Sequence, residues 1–203
     1  MSFANSFARA LVPVAVIAVA APASAATSAD LGLVKSHISA VQTMSANFTQ
    51  SDARGRSAAG KLQLKRPGRV RFEYRSGDLL LVANGKTLTY IDYQVGQKSS
   101  WPLSRTPLGV LLSGSPDLKG RAQIVPNKDS RLIVVRARDP PQYGSILLVF
   151  IRKPSGPGGL QLHGWTAIDA QNKRTTVRLS NVRYNVALPD SAFTYAEPKK
   201  RGK

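Results

Sequence analysis

The sequence predicts a mainly β fold of the α+β kind: an antiparallel sheet of about 11 strands with helices laid across one face. Three observations carry this expectation. From Ser45 onward apolar residues take every second place in runs of strand length. Turn residues follow at short intervals, and short links between strands mean hairpins and antiparallel pairing. Only two stretches show helical spacing, and each has an apolar side that must be covered.

At the start of the chain, Arg9 precedes an apolar run from Leu11 to Ala20, and Ala23-Ser24-Ala25 places small residues where a signal peptidase cuts. Residues 1–25 are therefore expected to be an export signal cleaved after Ala25. The run is shorter than the ~20 apolar residues of a spanning helix, and no later segment could cross a bilayer as a helix. Residues 26–203 have the size of one domain with a sizeable core.

From Asp30 to Val41 the residues Leu31, Val34, Ile38 and Val41 recur at three- and four-residue steps, which predicts an amphipathic helix. His37 lies beside that stripe and is expected at the surface or its boundary. Candidate strands then run over 45–53, 57–65, 69–75, 79–83, 86–92, 96–100, 121–126, 131–137, 145–152, 160–169 and 173–187. Successive hairpins would make them a meander. Asn84-Gly85 is a two-residue hairpin signal, since both positions of such a turn take positive φ.

The hairpin at "GKLQLKRPGRVRFEYR" (60–75) fixes its own register. Leu62 and Leu64 share a face with Val70 and Phe72 only if Leu64 opposes Val70 and Lys65 opposes Arg69. That leaves Arg66-Pro67-Gly68 as a three-residue loop with Gly68 at its left-handed position. Arg66, in line with the leucines by parity, then leaves the ladder at the rim of the apolar face.

A short, very apolar helix is expected from Pro107 through Leu108, Val110, Leu111 and Leu112, capped by Thr106 and stopping near Ser113-Gly114. It must lie across the sheet. Between Val177-Leu179 and Val182-Tyr184-Val186 the apolar parity slips by one, which predicts a β-bulge near Ser180-Asn181. Lys199 to Lys203 form a solvated basic tail. No internal repeat or second domain is evident.

The composition limits function. Lys and Arg number 29 against 11 Asp and Glu, a formal net charge of +18, and removing Arg9 leaves +17. Such a surface favours anionic partners. There is no cysteine, so no disulfide, thiolate metal site or cysteine-linked lipid is available. His37 and His163 are the only histidines, neither in a catalytic or metal-ligand motif, and no Gly-rich phosphate loop occurs. The GPGG at 156–159 is a hairpin loop. This inventory argues against an enzyme and predicts no cofactor and no metal. Arg69, Arg71 and Arg75 line one strand face, but Phe72 and Tyr74 point to the other. Base stacking and phosphate neutralisation would thus fall on opposite sides, and no nucleic-acid partner is expected.

What remains is binding of something apolar. Leu62, Leu64, Val70, Phe72, Tyr74, Leu79, Leu81, Leu88 and Tyr90 would share the inner face, more apolar surface than two helices bury. An ordinary packed core would use the same residue types.

The stretch "MSANFTQSDARGRSAAGKLQLKRPGRVRFEYRSGDLLLVANGKTLTYIDYQVGQ" (44–97), with "HGWTAIDAQNKRTTVRLSNVRYN" (163–185) and "FTYAEP" (193–198), resembles the LolA family of periplasmic outer-membrane lipoprotein carriers. The ordered spacing carries the resemblance: Met-x-Ala-x-Phe-Thr-Gln, Gly-x-Leu-x-Leu-x-Arg-Pro, an aromatic-bearing strand, Val-x-x-Gly-Lys-Thr-Leu, then the Pro-initiated helix. It implies an incomplete antiparallel β-barrel with a lid of short helices over an apolar cavity.

Such a protein, a monomer in the periplasm, would take acylated lipoproteins from an inner-membrane ABC-type release complex and pass them to an outer-membrane acceptor. Arg66 falls on the family's Arg-Pro arginine, which bonds lid groups when the cavity is empty. The alternative at that position is a solvated arginine beside a turn. Arg69-Val70 replace the aromatics common after Arg-Pro, and the tail ends early in Lys-Lys-Arg-Gly-Lys. Lack of cysteine argues against the lipid-anchored acceptor itself. The alternative function is a similar binder of another exported lipid, or an envelope-stress sensor.

Overall fold

The computed structural model describes residues 23–106, 108–112, 122–138 and 144–199. Most of the expected export signal, residues 1–22, lies outside them, as do Pro107, Ser113, Gly114 and the tail residues 200–203. Helix α1 (Ala23–Ala40) begins before the expected onset at Asp30. Its buried stripe of Val34 and Ile38, extended by Val41, follows the expected spacing.

Eleven strands follow: β1 (Thr43–Asp52), β2 (Ser57–Lys65), β3 (Arg69–Tyr74), β4 (Leu79–Asn84), β5 (Thr87–Asp92), β6 (Gln97–Pro102), β7 (Ala122–Val125), β8 (Leu132–Arg138), β9 (Ser145–Arg152), β10 (Leu160–Ile168) and β11 (Arg174–Tyr184). They form one antiparallel sheet in the order β6-β5-β4-β3-β2-β1-β11-β10-β9-β8-β7. The single meander expected from short links is thus two meanders joined by the first and last strands. Between β6 and β7, at opposite edges, the chain carries a 3-10 turn (Leu103–Arg105) and helix α2 (Leu108–Leu112).

The sheet curls strongly. Four strand spacings separate β3 from β10, about 19 Å along a flat sheet at roughly 4.8 Å each. Yet Phe72 on β3 and Trp165 on β10 meet edge to face with centroids 6.0 Å apart. Side chains from α1, Leu112 and both halves of the sheet form one buried cluster inside that curl.

The local signals are largely as expected. Lys65 pairs with Arg69 and Leu64 with Val70, leaving the three-residue loop 66–68 with Gly68 at φ +71°. The register of β1 against β11 shifts so that Asn181 and Val182 oppose Ala46, with Asn181 at φ +51°, which is the expected bulge. The β4–β5 turn differs. Ala83 pairs with Leu88, so the loop is Gly85-Lys86 rather than Asn84-Gly85. The Asn84 Oδ1 accepts the Lys86 and Thr87 amides at 3.3 and 3.1 Å, holding asparagine at the strand end. Facing is unchanged, because the register moves by a whole pleat period.

Candidate functional site

The expected wall residues do share one face. Phe72 opposes Leu62 on β2 and Leu81 on β4, Leu81 opposes Tyr90, and Ala83 opposes Leu88. Leu62, Leu64, Val70, Phe72, Tyr74 and Leu88 are buried, whereas Leu79, Leu81 and Tyr90 are half-buried toward the β5–β6 edge. Tyr74 is held by Phe48, ring centroids 5.2 Å apart, and donates from its hydroxyl to the Gln50 Oε1 at 3.0 Å. Burial pushes that phenol's pKa up.

Helix α2 presents Leu112 and, partly, Leu108 to this core. The side chains of Val110 and Leu111 lie outside the described residues. Thr106, the expected cap, accepts the Gly109 amide on its carbonyl at 3.0 Å. Its hydroxyl donates back to the Leu103 carbonyl at 2.8 Å, closing the 3-10 turn that precedes α2. The helix end is tied to the hairpin loop: the Gly68 amide donates to the Leu112 carbonyl at 2.9 Å, and the Gly85 amide to the Gly68 carbonyl at 3.0 Å. A Cβ on Gly68 would meet the Gly85 backbone at 2.7 Å, so this relay requires glycine.

Arg66 does not stop at the rim. Its amide donates to the Gln42 carbonyl at 2.9 Å, and its side chain lines an interior cavity with His37, Ile38, Met44, Phe150 and Tyr184. The cavity holds about 20 Å³, enough for about one water and far short of an acyl chain. Around Arg66 the interior is filled by the described side chains themselves. Desolvation lowers the Arg66 pKa to about 10.

His37, expected at the surface, is only 3% exposed and is part of this interior. Its Nδ1 donates to the Pro157 carbonyl at 2.7 Å, and its ring stands edge-on to Phe150 and Tyr184. Burial lowers its pKa, and the nearby Arg66 charge adds to the shift. The GPGG loop supplies that carbonyl and seats α1. The signal was present in the spacing, because 37 falls three residues after Val34 and four before Val41, on the same helical stripe.

The outer face of β3–β5 departs most from expectation. Leu80, Val82 and Ile91 form a second small core with Phe193 from the C-terminal segment. That segment is strapped down by charge: Asp190 pairs with Lys65 at 2.6 Å and Arg69 at 2.5 Å, and Glu197 with Lys98 at 2.6 Å. Arg71 donates to the Thr194 carbonyl at 2.9 Å. Arg69 and Arg71 are therefore occupied by the protein's own chain rather than presented to an anionic partner, while Arg75 remains exposed. The unbroken apolar run Leu79-Leu80-Leu81-Val82-Ala83 was the sequence sign that both faces of β4 are covered.

Among the described residues no cluster of metal-ligating side chains occurs, and no helix is long and apolar enough to cross a membrane.

A curled, open antiparallel sheet whose apolar inner face is covered by helices rather than by a second sheet defines an open-barrel class of β protein with a hydrophobic interior. The chain belongs to the LolA family, matching the description "Outer membrane lipoprotein carrier protein LolA" over residues 39–196. It is 30% identical over 191 residues to an outer-membrane lipoprotein carrier protein of Chromobacterium violaceum, covering 89% of this chain and 88% of the relative. To one from Albidiferax ferrireducens it is 27% identical, covering 91% and 94%. A crystal structure of a DUF1329 family protein from Desulfovibrio piger shares the fold at a TM-score of 0.52 and 12% identity, over 85% of this chain and 99% of that one.

Proposed function

We propose that this protein is a periplasmic carrier: exported, cut after Ala25, and folded as a single domain over 26–203. It would bind lipoprotein acyl chains against the inner face of β2–β5, receive them from an inner-membrane ABC-type release complex, and pass them to an outer-membrane acceptor. What supports the reading most directly is the shared inner face of Leu62, Leu64, Val70, Phe72 and Leu88 under Leu112, in a chain of the carrier family.

Burying a methylene is worth about 0.8 kcal/mol, so one long acyl chain offers on the order of 10 kcal/mol before costs. Leu112 and helix α1 pack against the same apolar core, so a chain that binds there competes with them. That competition moderates affinity, which a carrier needs in order to release. Arg66 acts as the latch in this scheme. Its rigid fork of donors bonds lid groups in the empty state, where scarce water makes such bonds stronger.

The test is loading of a fluorescent acyl probe and its transfer to acceptor, in the parent and in Arg66→Leu, with mass spectrometry of lipid co-purifying from the periplasm. Co-purified lipoprotein, with normal loading but impaired transfer in the variant, is the expected result. Free phospholipid or polyisoprenoid in place of lipoprotein would sink the lipoprotein assignment. Unchanged transfer and unchanged amide exchange around 108–112 would reduce Arg66 to a structural residue.

A further inference from the structure

We propose that the β5–β6 edge is a docking surface for an anionic phospholipid bilayer, with Trp101 entering the headgroup layer beside Lys86 and Arg105. The inference rests on the carrier reading and adds to it where the cargo's membrane makes contact.

Among the described residues, Val95 and Trp101 are the exposed large hydrophobic side chains, and Trp101 is 46% exposed. Strand β6 pairs only with β5 and is one edge of the sheet. Trp101 opposes Leu88, so its indole lies on the inner face and carries the apolar wall out past the sheet edge. Val95 sits in the β5–β6 turn at the other end of the strand and belongs to a different patch.

Along the chain beside Trp101 the described charged residues, Lys86, Lys98 and Arg105, are of one sign. The Leu103 amide donates to the Lys86 carbonyl at 2.8 Å, which brings exposed Lys86 to the end of β6, and exposed Arg105 follows in the next turn. Between Asp78 and Asp117 the only acidic residue is Asp92, at the far end of β5 opposite Gln97. Lys98, on the other sheet face, is engaged by Glu197.

An indole has an apolar body and one polar N–H, and it settles at the boundary between headgroups and acyl chains. Lysine and arginine near an anionic leaflet add attraction at that depth. A surface that joins an apolar wall to an indole and two exposed cations suits a bilayer. A chain leaving along Leu81, Tyr90 and Leu88 would then reach lipid with little exposure to water.

The chain's two tryptophans make this testable without a label. Trp165 is 3% exposed, so a change in emission on adding vesicles reports Trp101. The protein is titrated with vesicles of phosphatidylglycerol in phosphatidylcholine, with phosphatidylcholine alone, and with brominated acyl chains. The expected result is a blue shift and bromine quenching with the anionic vesicles, little with neutral ones, and weakening by salt. Trp101→Ser should abolish the shift, and Lys86→Ser or Arg105→Ser should each weaken binding about fivefold. Vesicle co-sedimentation that is unchanged in Trp101→Ser overturns the proposal, as does an indole still open to aqueous iodide at saturating vesicle. Acyl-probe loading is measured on the same samples. Intact loading without docking overturns this inference and leaves the carrier, whereas docking without loading supports the surface and removes the carrier reading.

Discussion

Gly158 lies so close beneath the α1 backbone that a Cβ there would stand 2.6 Å from the His37 amide nitrogen. Its φ of +59° is also one that L side chains rarely adopt. The GPGG loop is therefore the seat on which the helix rests, and glycine is needed both for the loop's shape and for the approach.

Gly158→Ala should accordingly destabilise the protein by roughly 2 kcal/mol or more, from the left-handed conformation plus the displaced helix. Urea denaturation measures the loss. Amide exchange along α1 should rise more than exchange in β1 and β2, since the contact removed is the helix's own. Equal changes everywhere would mean the loop does not seat the helix.

The His37 ring is the second tie at that seat, and it carries a pH dependence. Burial and the Arg66 charge lower its pKa below the ordinary 6.5, against the raising effect of its bonds to the loop. The folded state thus prefers the neutral ring. Its contribution is complete above about pH 6.5 and is lost as pH falls through the lowered value. Melting temperature should fall from pH 7 toward pH 5, and His37→Gln should flatten that slope. Asp52, Asp129 and Asp190 are lowered from 3.8 and act only in more acidic solution. An unaltered slope in the variant would remove His37 from the account.

Phe193 anchors the C-terminal segment on Leu80, Val82 and Ile91. Phe193→Ala should cost about 3 kcal/mol and expose residues 188–199 to limited proteolysis before the rest unfolds. Asp190→Asn, at a solvent-exposed ion pair, should cost much less than Phe193→Ala. A larger effect from Asp190 than from Phe193 would mean that charge rather than apolar burial holds the segment.

Phe72 lies centrally in the inner face, between Phe48 and Trp165. Phe72→Ala should destabilise the empty protein by about 4 kcal/mol, the usual cost of such a truncation. If acyl chains occupy this face, bound probe should restore part of that loss by filling the vacated space. Denaturation with and without probe, followed by Trp165 emission, measures the difference. An equal loss in both states would place the chain elsewhere.

Much of the fold was legible because its signals are local. All eleven strands, the 66–68 loop and the bulge at Asn181 follow from period-two parity and turn chemistry within a few residues of each. The Asn84 turn was displaced by one residue on each strand, because either dipeptide closes the hairpin and the asparagine side chain decides between them. A lone histidine beside the apolar stripe is expected at the surface or its boundary, yet His37 is buried. Its helical position had put it inside, and the partner that makes burial tolerable, the Pro157 carbonyl, lies 120 residues away.

By itself the sequence determined which side chains share a face, since alternation along a strand follows from backbone geometry and needs no distant partner. It also determined that the inner wall runs through Leu62, Leu64, Val70 and Phe72. Only the tertiary structure decided what covers each face. Pairing of β1 with β11 curls the sheet until Phe72 meets Trp165, and that curl turns Arg66 inward toward His37. The C-terminal segment falls on Leu80, Val82 and Ile91, where the basic outer residues hold it in place. These outcomes depend on contacts between segments remote in the chain, whose burial and charge pairing no local periodicity encodes.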